Sequence, residues 1–293
     1  MSLPNMRGGA VLAASVVGFF LFLAAGARAQ GVSVAPSRIL LDGRTRSATV
    51  FLSNRGDRTE TYRISLVPMI MRQDGALVRA DSTQYDQAAF AEDVVRYSPR
   101  RVVIPAGGSQ TVRLLVRRPH DREVGDTEFR AHLSVRSIPT VPRLEELETP
   151  LPENIPEDQF VAVPVASVET LVPLVVRFGK PDATVSIVEP HLIKADDGQP
   201  ALGFDLQRTG ERSLYGQLTV THVDPSGLET PLYFGRGIAL YTPNPSRSFR
   251  ISVGDRGVDL TNGRITIDFV ETEDGGGDCE AHAALAPQVL SRK

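Results

Sequence analysis

The chain has 293 residues, 41% of them apolar, and a formal charge of −3, which is enough sequence for two domains of ordinary size. Its 32 Lys and Arg are spread along the chain beside 35 Asp and Glu, which excludes the basic stripe of a nucleic-acid binder. The only cysteine, Cys279, has no partner for an internal disulfide, so any exported domain must stand on its apolar core.

The chain opens with "MSLPNMRGGAVLAASVVGFFLFLAAGARAQ". A basic start at Arg7, an apolar run from about Ala10 to Ala25 and the A-x-A pattern at Ala27 and Ala29 read as a secretory signal peptide over residues 1–29. The run is short for a retained anchor, and no later stretch is apolar enough to span a bilayer, so the expectation is a soluble protein outside the cytoplasm. Cleavage after Ala29 removes Arg7 and Arg28 and takes the formal charge from −3 to −5.

Next comes "VSVAPSRILLDGRTRSATVFLSN", residues 32–54, which reads as strands with a turn at Asp42 and Gly43. Arg38 interrupts it, between Pro36 and the run Ile39, Leu40, Leu41. Its charge must either snorkel to a sheet rim or meet an anion. Short alternating segments rich in Val, Ile, Leu, Thr and Arg continue to Phe178, separated by turn signals at Asp74-Gly75 and Pro105-Ala106-Gly107-Gly108. Such spacing predicts an antiparallel β-sandwich over residues 30–180. Within it, "STQYDQAAFAEDVVRYSP" reads as a connection with a helical turn.

Residues 140–159, "TVPRLEELETPLPENIPEDQ", are rich in proline and acidic side chains and read as a long exposed loop. They lead into "FVAVPVASVETLVPLVVRF", the most apolar stretch of the mature chain. After Gly179-Lys180-Pro181 a second strand pattern begins, which predicts another small β-sandwich over residues 181–274. The Gly- and Ala-rich segment 275–293 lacks clear alternation and is expected to be a flexible tail.

Chemistry is hard to find. His120, His132, His191, His222 and His282 are not paired at metal-ligand spacing, and His132, in "AHLSVR", reads as a packed strand residue. Neither a nucleophile elbow, nor a phosphate-binding loop, nor a dinucleotide fingerprint is present, and "PHDRE" at 119–123 reads as a solvated loop. Two sandwiches without a recognisable site predict a binding protein with no cofactor and no catalytic residues, not an enzyme.

Four segments in order carry a resemblance: "SRILLDG" (37–43), "SATVFLSN" (47–54), "YSPRRVVIPAGGSQTVRL" (97–114) and "EFRAHLSVRSIP" (128–139). Together they resemble the first domain of the periplasmic chaperones of chaperone–usher pilus assembly, while "TGERSLYGQLTV" and "GIALYTPNPSR" look like the second domain of that family's archaic or alternative branch. The resemblance implies two immunoglobulin-like domains at an angle, a periplasmic location, pilin subunits and an outer-membrane usher as partners, and possible self-association of the free chaperone. It implies that the stretch after the acidic loop is a strand donated to an incomplete pilin sandwich. Simple alternation selects Val161, Val163 and Val165 as the donated side chains, whereas counting back from "LVPLVVR" selects Ala166 and Val168; a bulge reconciles the two.

By the same resemblance Arg38 anchors a pilin's C-terminal carboxylate in the cleft between the domains. The family adds a lysine on the donor strand. Here that position falls at or near Pro173, no lysine lies between residues 140 and 179, and Arg177 is the substitute on the same strand. The competing readings are a secreted structural or adhesive sandwich protein, and a hydrolase whose site converges from distant segments.

Overall fold

The computed structural model describes residues 31–81, 90–119, 123–139, 166–195, 198–254 and 257–287. The leader, the acidic loop and the candidate donor residues Val161, Val163 and Val165 lie outside that set. The fold is all-β, two sandwiches joined in tandem.

The first domain holds β1 (Val32–Ala35), β2 (Ile39–Leu41), β3 (Ser47–Asn54), β4 (Glu60–Val67), β5 (Met69–Met71), β6 (Leu77–Arg79), β7 (Val95–Ser98), β8 (Arg101–Ile104), β9 (Ser109–Val116), β10 (Thr127–Ile138) and β11 (Glu169–Phe178). One sheet has the order β1-β3-β9-β7 and the other β2-β11-β10-β4-β8, with β5 and β6 forming a separate hairpin. Period-two alternation turns Val50, Leu52, Val112 and Leu114 of the first sheet toward Ile64, Leu133, Val135 and Leu174 of the second. All eight are buried, none more than 2% exposed. Between Phe90 and Val95 the expected helical turn is a single tight turn, closed by Val95 N–H donating to the Ala91 carbonyl at 3.0 Å.

The opening segment does something its alternation does not reveal. β1 runs antiparallel to β3 in one sheet, whereas β2 runs parallel to β11 in the other. Proline supplies no N–H to a ladder, so Pro36 is a natural place for a strand to leave one sheet. Arg38 therefore stands at the corner where the chain crosses between sheets.

The second domain holds β12 (Ala183–Lys194), β13 (Pro200–Gly210), β14 (Leu214–Val223), β15 (Glu229–Leu240), β16 (Ser246–Ser252), β17 (Arg264–Glu271) and β18 (Glu280–Leu285). Its sheets are β12-β13-β16 and β15-β14-β17-β18, packed over Leu202, Phe204, Leu206, Leu218, Val220, Ile267 and Phe269. The expectation of a flexible tail from residue 275 is corrected here. A 3-10 turn at Glu273–Gly275 leads into β18, which pairs with β17 from Ile265↔Leu285 to Val270↔Glu280. Ala281 and Leu285 point into the core and His282 and Ala284 point out, so the alternation exists but is written in alanines too small to announce it.

The hairpin of β5 and β6 links the domains. Ser248 N–H donates to the Gln73 carbonyl at 2.8 Å, Asn244 Nδ2 to the Arg72 carbonyl at 3.3 Å, and Met71 packs with Ala239, Tyr241 and Tyr215.

Asn54, 1% exposed at the end of β3, organises the adjoining turns. Its Nδ2 donates to the carbonyls of Arg58 (2.7 Å), Ile104 (3.0 Å) and Pro105 (3.2 Å), and its Oδ1 accepts from Gly56 N–H at 2.9 Å. Asn54→Ala orphans several backbone groups at once, and an unmatched buried group costs about 1–3 kcal/mol. The expected outcome is a loss on the order of 3 kcal/mol of first-domain stability, read as a lower urea midpoint with an unchanged slope.

Candidate functional site

β10 carries the site on its outer face. Its odd positions Phe129, Ala131, Leu133 and Val135 point into the first core, so Glu128, Arg130, His132 and Ser134 project the other way. An outward stripe would ordinarily be solvated, yet Glu128, Arg130 and His132 are only 4%, 3% and 2% exposed because the second domain covers them.

Glu128 ties the two domains together. Directly across from it on β11 is Arg177, whose Nε donates to Glu128 Oε2 at 3.0 Å. Ser213 of the second domain donates its backbone N–H to both carboxylate oxygens at 3.0 and 3.1 Å, and its hydroxyl donates to Oε1. Arg177 continues across, Nη1 to the Gly276 carbonyl and Nη2 to the Ser213 carbonyl, each at 3.2 Å. Arg177, expected as a carboxylate anchor, is thus buried here with each of its side-chain nitrogens engaged in the domain interface. A second buried pair lies nearby, Arg212 Nη1 to Glu271 Oε1 at 2.6 Å, with Arg212 Nη2 also donating to Cys279 Sγ at 3.2 Å. The thiol donates in turn to the Ala183 carbonyl at 3.1 Å, and burial raises its pKa, so Cys279 is packed and weakly nucleophilic.

One step along, three cation-capable side chains surround one tyrosine. Arg38 donates Nη1 to the Tyr241 hydroxyl at 3.1 Å and Nε to the Asp274 carbonyl at 3.0 Å, and its Cζ lies 4.2 Å from the Tyr215 ring centroid. Arg130 Cζ lies 4.6 Å from the Tyr241 centroid, with Nε donating to Thr242 Oγ1 at 3.1 Å and Nη2 to the Thr242 carbonyl. His132 meets the same ring edge-on at 6.2 Å. Both His132 ring nitrogens and Arg38 Nη2 are buried without a hydrogen-bond partner.

Register explains the grouping. β2 pairs Ile39 with Leu174, which sets Arg38 beside Pro173; Pro173 lies across from His132, and His132 across from Val67 on β4. The position where the resemblance expects a lysine is therefore a proline flanked by Arg38 and His132. Burial, then Arg130, then Arg38 push the His132 pKa down to about 4, so it is neutral at neutral pH. Arg130, held down to about 10 chiefly by burial, stays charged. Burial raises the Tyr241 phenol, which keeps its proton. Sequence reasoning singled out Arg38 and read His132 only as a packed strand residue, and it passed over Arg130, Tyr215 and Tyr241. The available signal was the polar stripe of "EFRAHLSVR", where charged residues alternate with core positions along a strand.

β11 also runs out of the site toward an open edge. β2 covers it only at Leu174–Val176, and among the described residues no other strand pairs with that side of Glu169–Pro173. On its other side the pairing with β10 extends to Val168, through Ser137 N–H to the Val168 carbonyl at 2.9 Å and Val168 N–H to Ser137 Oγ at 2.8 Å. Ala166 and Val168 are exposed, Val168 by 49%, and they share the face of Val172, Leu174 and Val176.

No family model matches this chain, and no curated protein matches it either. Solved structures do. The chain is similar to the YadV chaperone, at 14% identity and a TM-score of 0.43 over 87% of this chain and 99% of that one. It is similar to a chain of the CsuC–CsuE chaperone–tip subunit pre-assembly complex of archaic Csu pili from Acinetobacter baumannii, at 13% identity and a TM-score of 0.41 over 86% and 97% of the two chains. It is likewise similar to a chain of the Salmonella enterica SafA pilin–SafB chaperone complex, at 14% identity and a TM-score of 0.42 over 87% and 96%.

Two outcomes follow from the interface. Glu128→Ala leaves the buried Arg177 guanidinium without its carboxylate, a change that costs about 3–5 kcal/mol; the expected result is a lowered thermal midpoint, with partial rescue by the double variant Glu128→Ala, Arg177→Met. The second outcome concerns pH. Because the folded His132 pKa lies below the ordinary 6.5, the unfolded chain binds the proton first as pH falls. Stability present above about pH 6.5 is then lost toward pH 4, by on the order of 3 kcal/mol. His132→Leu should flatten that part of the curve in urea titrations at pH 7.5 and 5, with little loss at pH 7.5, since it removes two unpartnered polar atoms.

Proposed function

We propose that this protein is a periplasmic chaperone that binds pilin subunits by strand addition to the free edge of β11 and delivers them to an outer-membrane usher. The observation that carries this reading is the alignment of the open edge with the arginine. A strand added to Glu169–Pro173 lies in line with β2, on the same side of β11, and ends against the corner that carries Arg38. Run parallel to β11, that strand brings its C-terminal carboxylate to Arg38. Run antiparallel, it would bring a terminal amine to an arginine, which charge forbids. The geometry thus favours one orientation and one chain end.

The physical roles then divide. Main-chain hydrogen bonds along the β11 edge supply affinity for any extended segment, and exposed apolar side chains in phase with the core face, Ala166 and Val168, fill a groove in the partner's incomplete sandwich. Arg38 suits a terminal carboxylate because a guanidinium stays charged when desolvated and keeps donors to spare. Arg177 acts by holding the cleft walls in place, and an ATP-independent mechanism fits a site built only from a strand edge and a cation.

The decisive experiment co-expresses the chain with candidate pilins and measures soluble periplasmic subunit. Arg38→Ala and Val168→Asp should each lower that yield several-fold while the chaperone's own level holds. If no subunit is stabilised by the unmodified chain, or if both variants match it, the reading fails.

A further inference from the structure

The cleft contains a polar side chain that neither domain uses. His132 is 2% exposed and both of its ring nitrogens lack partners, a condition that costs free energy and that an apolar residue of similar size would avoid. Arg38 Nη2 is in the same state. The two stand on either side of Pro173, about 10 Å apart at the backbone by strand spacing, so their side chains can converge over a ring that carries no polar atom. Tyr241, from the other domain, stands over both.

The surroundings decide what chemistry would fit. Facing His132 are Arg130 on its own strand, Arg38 from the corner before β2, and the protonated Tyr241 phenol from the second domain. β11 presents Pro173 and β4 presents Val67, neither of them charged. The nearest carboxylate on β10, Glu128, is committed to Arg177 and Ser213. Glu169, on the Pro173 face of β11, is likewise committed to Arg79 and Ser134, so among the described residues two arginines with no free carboxylate disfavour a cation and favour an anion. A carboxylate has two acceptor oxygens, one for Arg38 Nη2 and one for an imidazole N–H. Once it enters, it offsets the arginine field and stabilises a charged imidazole beside it.

We propose that His132 is the second donor of the carboxylate anchor, in the place where Pro173 removes a side-chain cation, and that carboxylate binding between the domains is coupled to uptake of one proton by its imidazole. The inference rests on the chaperone reading for the identity of the natural occupant, the free C-terminus of a subunit. It predicts a grip that tightens as pH falls, opposite to the behaviour of an anchor made only of arginines.

The test uses the full mature chain with 15N-labelled histidine and follows the His132 ring nitrogens against pH, with the His132→Gln spectrum fixing the assignment. The probes are N-acetylglycinate, the smallest peptide C-terminus, and its amide as the uncharged control. Binding is read in parallel from the Thr242 backbone amide. The expected result is that N-acetylglycinate raises the His132 midpoint by a pH unit or more, equivalent to about tenfold tighter binding to the charged imidazole. The amide should do nothing, and Arg38→Gln should abolish the effect. Carboxylate binding that Arg38→Gln weakens while the His132 midpoint stays fixed overturns proton coupling and leaves the chaperone reading intact. Absence of carboxylate binding across the pH range overturns this inference and the Arg38 anchor together, while subunit yield in co-expression still judges the chaperone reading separately.

Discussion

The carboxylate of Glu128 is the point on which the arrangement of this molecule turns. Taking a carboxylate and a guanidinium out of water costs several kcal/mol apiece, and their attraction repays this only when the remaining lone pairs and N–H groups are also matched. Here Arg177, the Ser213 backbone and the Ser213 hydroxyl all meet Glu128, and Arg177 reaches on to two carbonyls of the second domain. Because the partners come from both sandwiches, the match exists at one relative placement of the domains. The interface is specified by a small number of directional bonds, with Met71 and Tyr241 supplying a modest apolar contact beside them.

That placement in turn creates the cleft. It buries Arg130 and His132, which would otherwise be solvated side chains on an open sheet face, and brings Tyr215 and Tyr241 against Arg38. Aromatic faces stabilise guanidinium groups while leaving N–H donors at the ring edges, so Arg38 and Arg130 are held in place without being neutralised. The result is a positively charged wall at the end of an incompletely covered strand. An open strand edge invites unwanted pairing, and among the described residues the uncovered side of Glu169–Pro173 leads to the corner that carries Arg38.

The interdomain contacts also separate two roles that one strand could have combined. Arg177 and Pro173 both lie on β11 with side chains on the cleft side, four residues apart. Arg177 faces Glu128 and becomes structural, while Pro173 faces His132 and leaves the space beside Arg38 without a cation of its own. With a buried carboxylate directly opposite, the Arg177 guanidinium is engaged by Glu128 and by two carbonyls of the second domain.

Much of this protein is determined by local pattern. Period-two alternation and Gly/Pro turn signals specify the strands, the two sandwiches and the apolar run that becomes β11, because a half-buried strand must place every second side chain in a core. Arg38 was legible for the same reason, as a charge in an apolar run. β18 was not, since alanines carry too little hydrophobic contrast to mark a face. What only the tertiary structure decided is which outward-facing polar residues meet another surface. The stripe Glu128, Arg130, His132 has the same alternation whether it faces water or a second domain. Its chemistry follows from long-range contacts to Ser213, Tyr241 and Thr242, more than 80 residues away, whose approach no local period encodes.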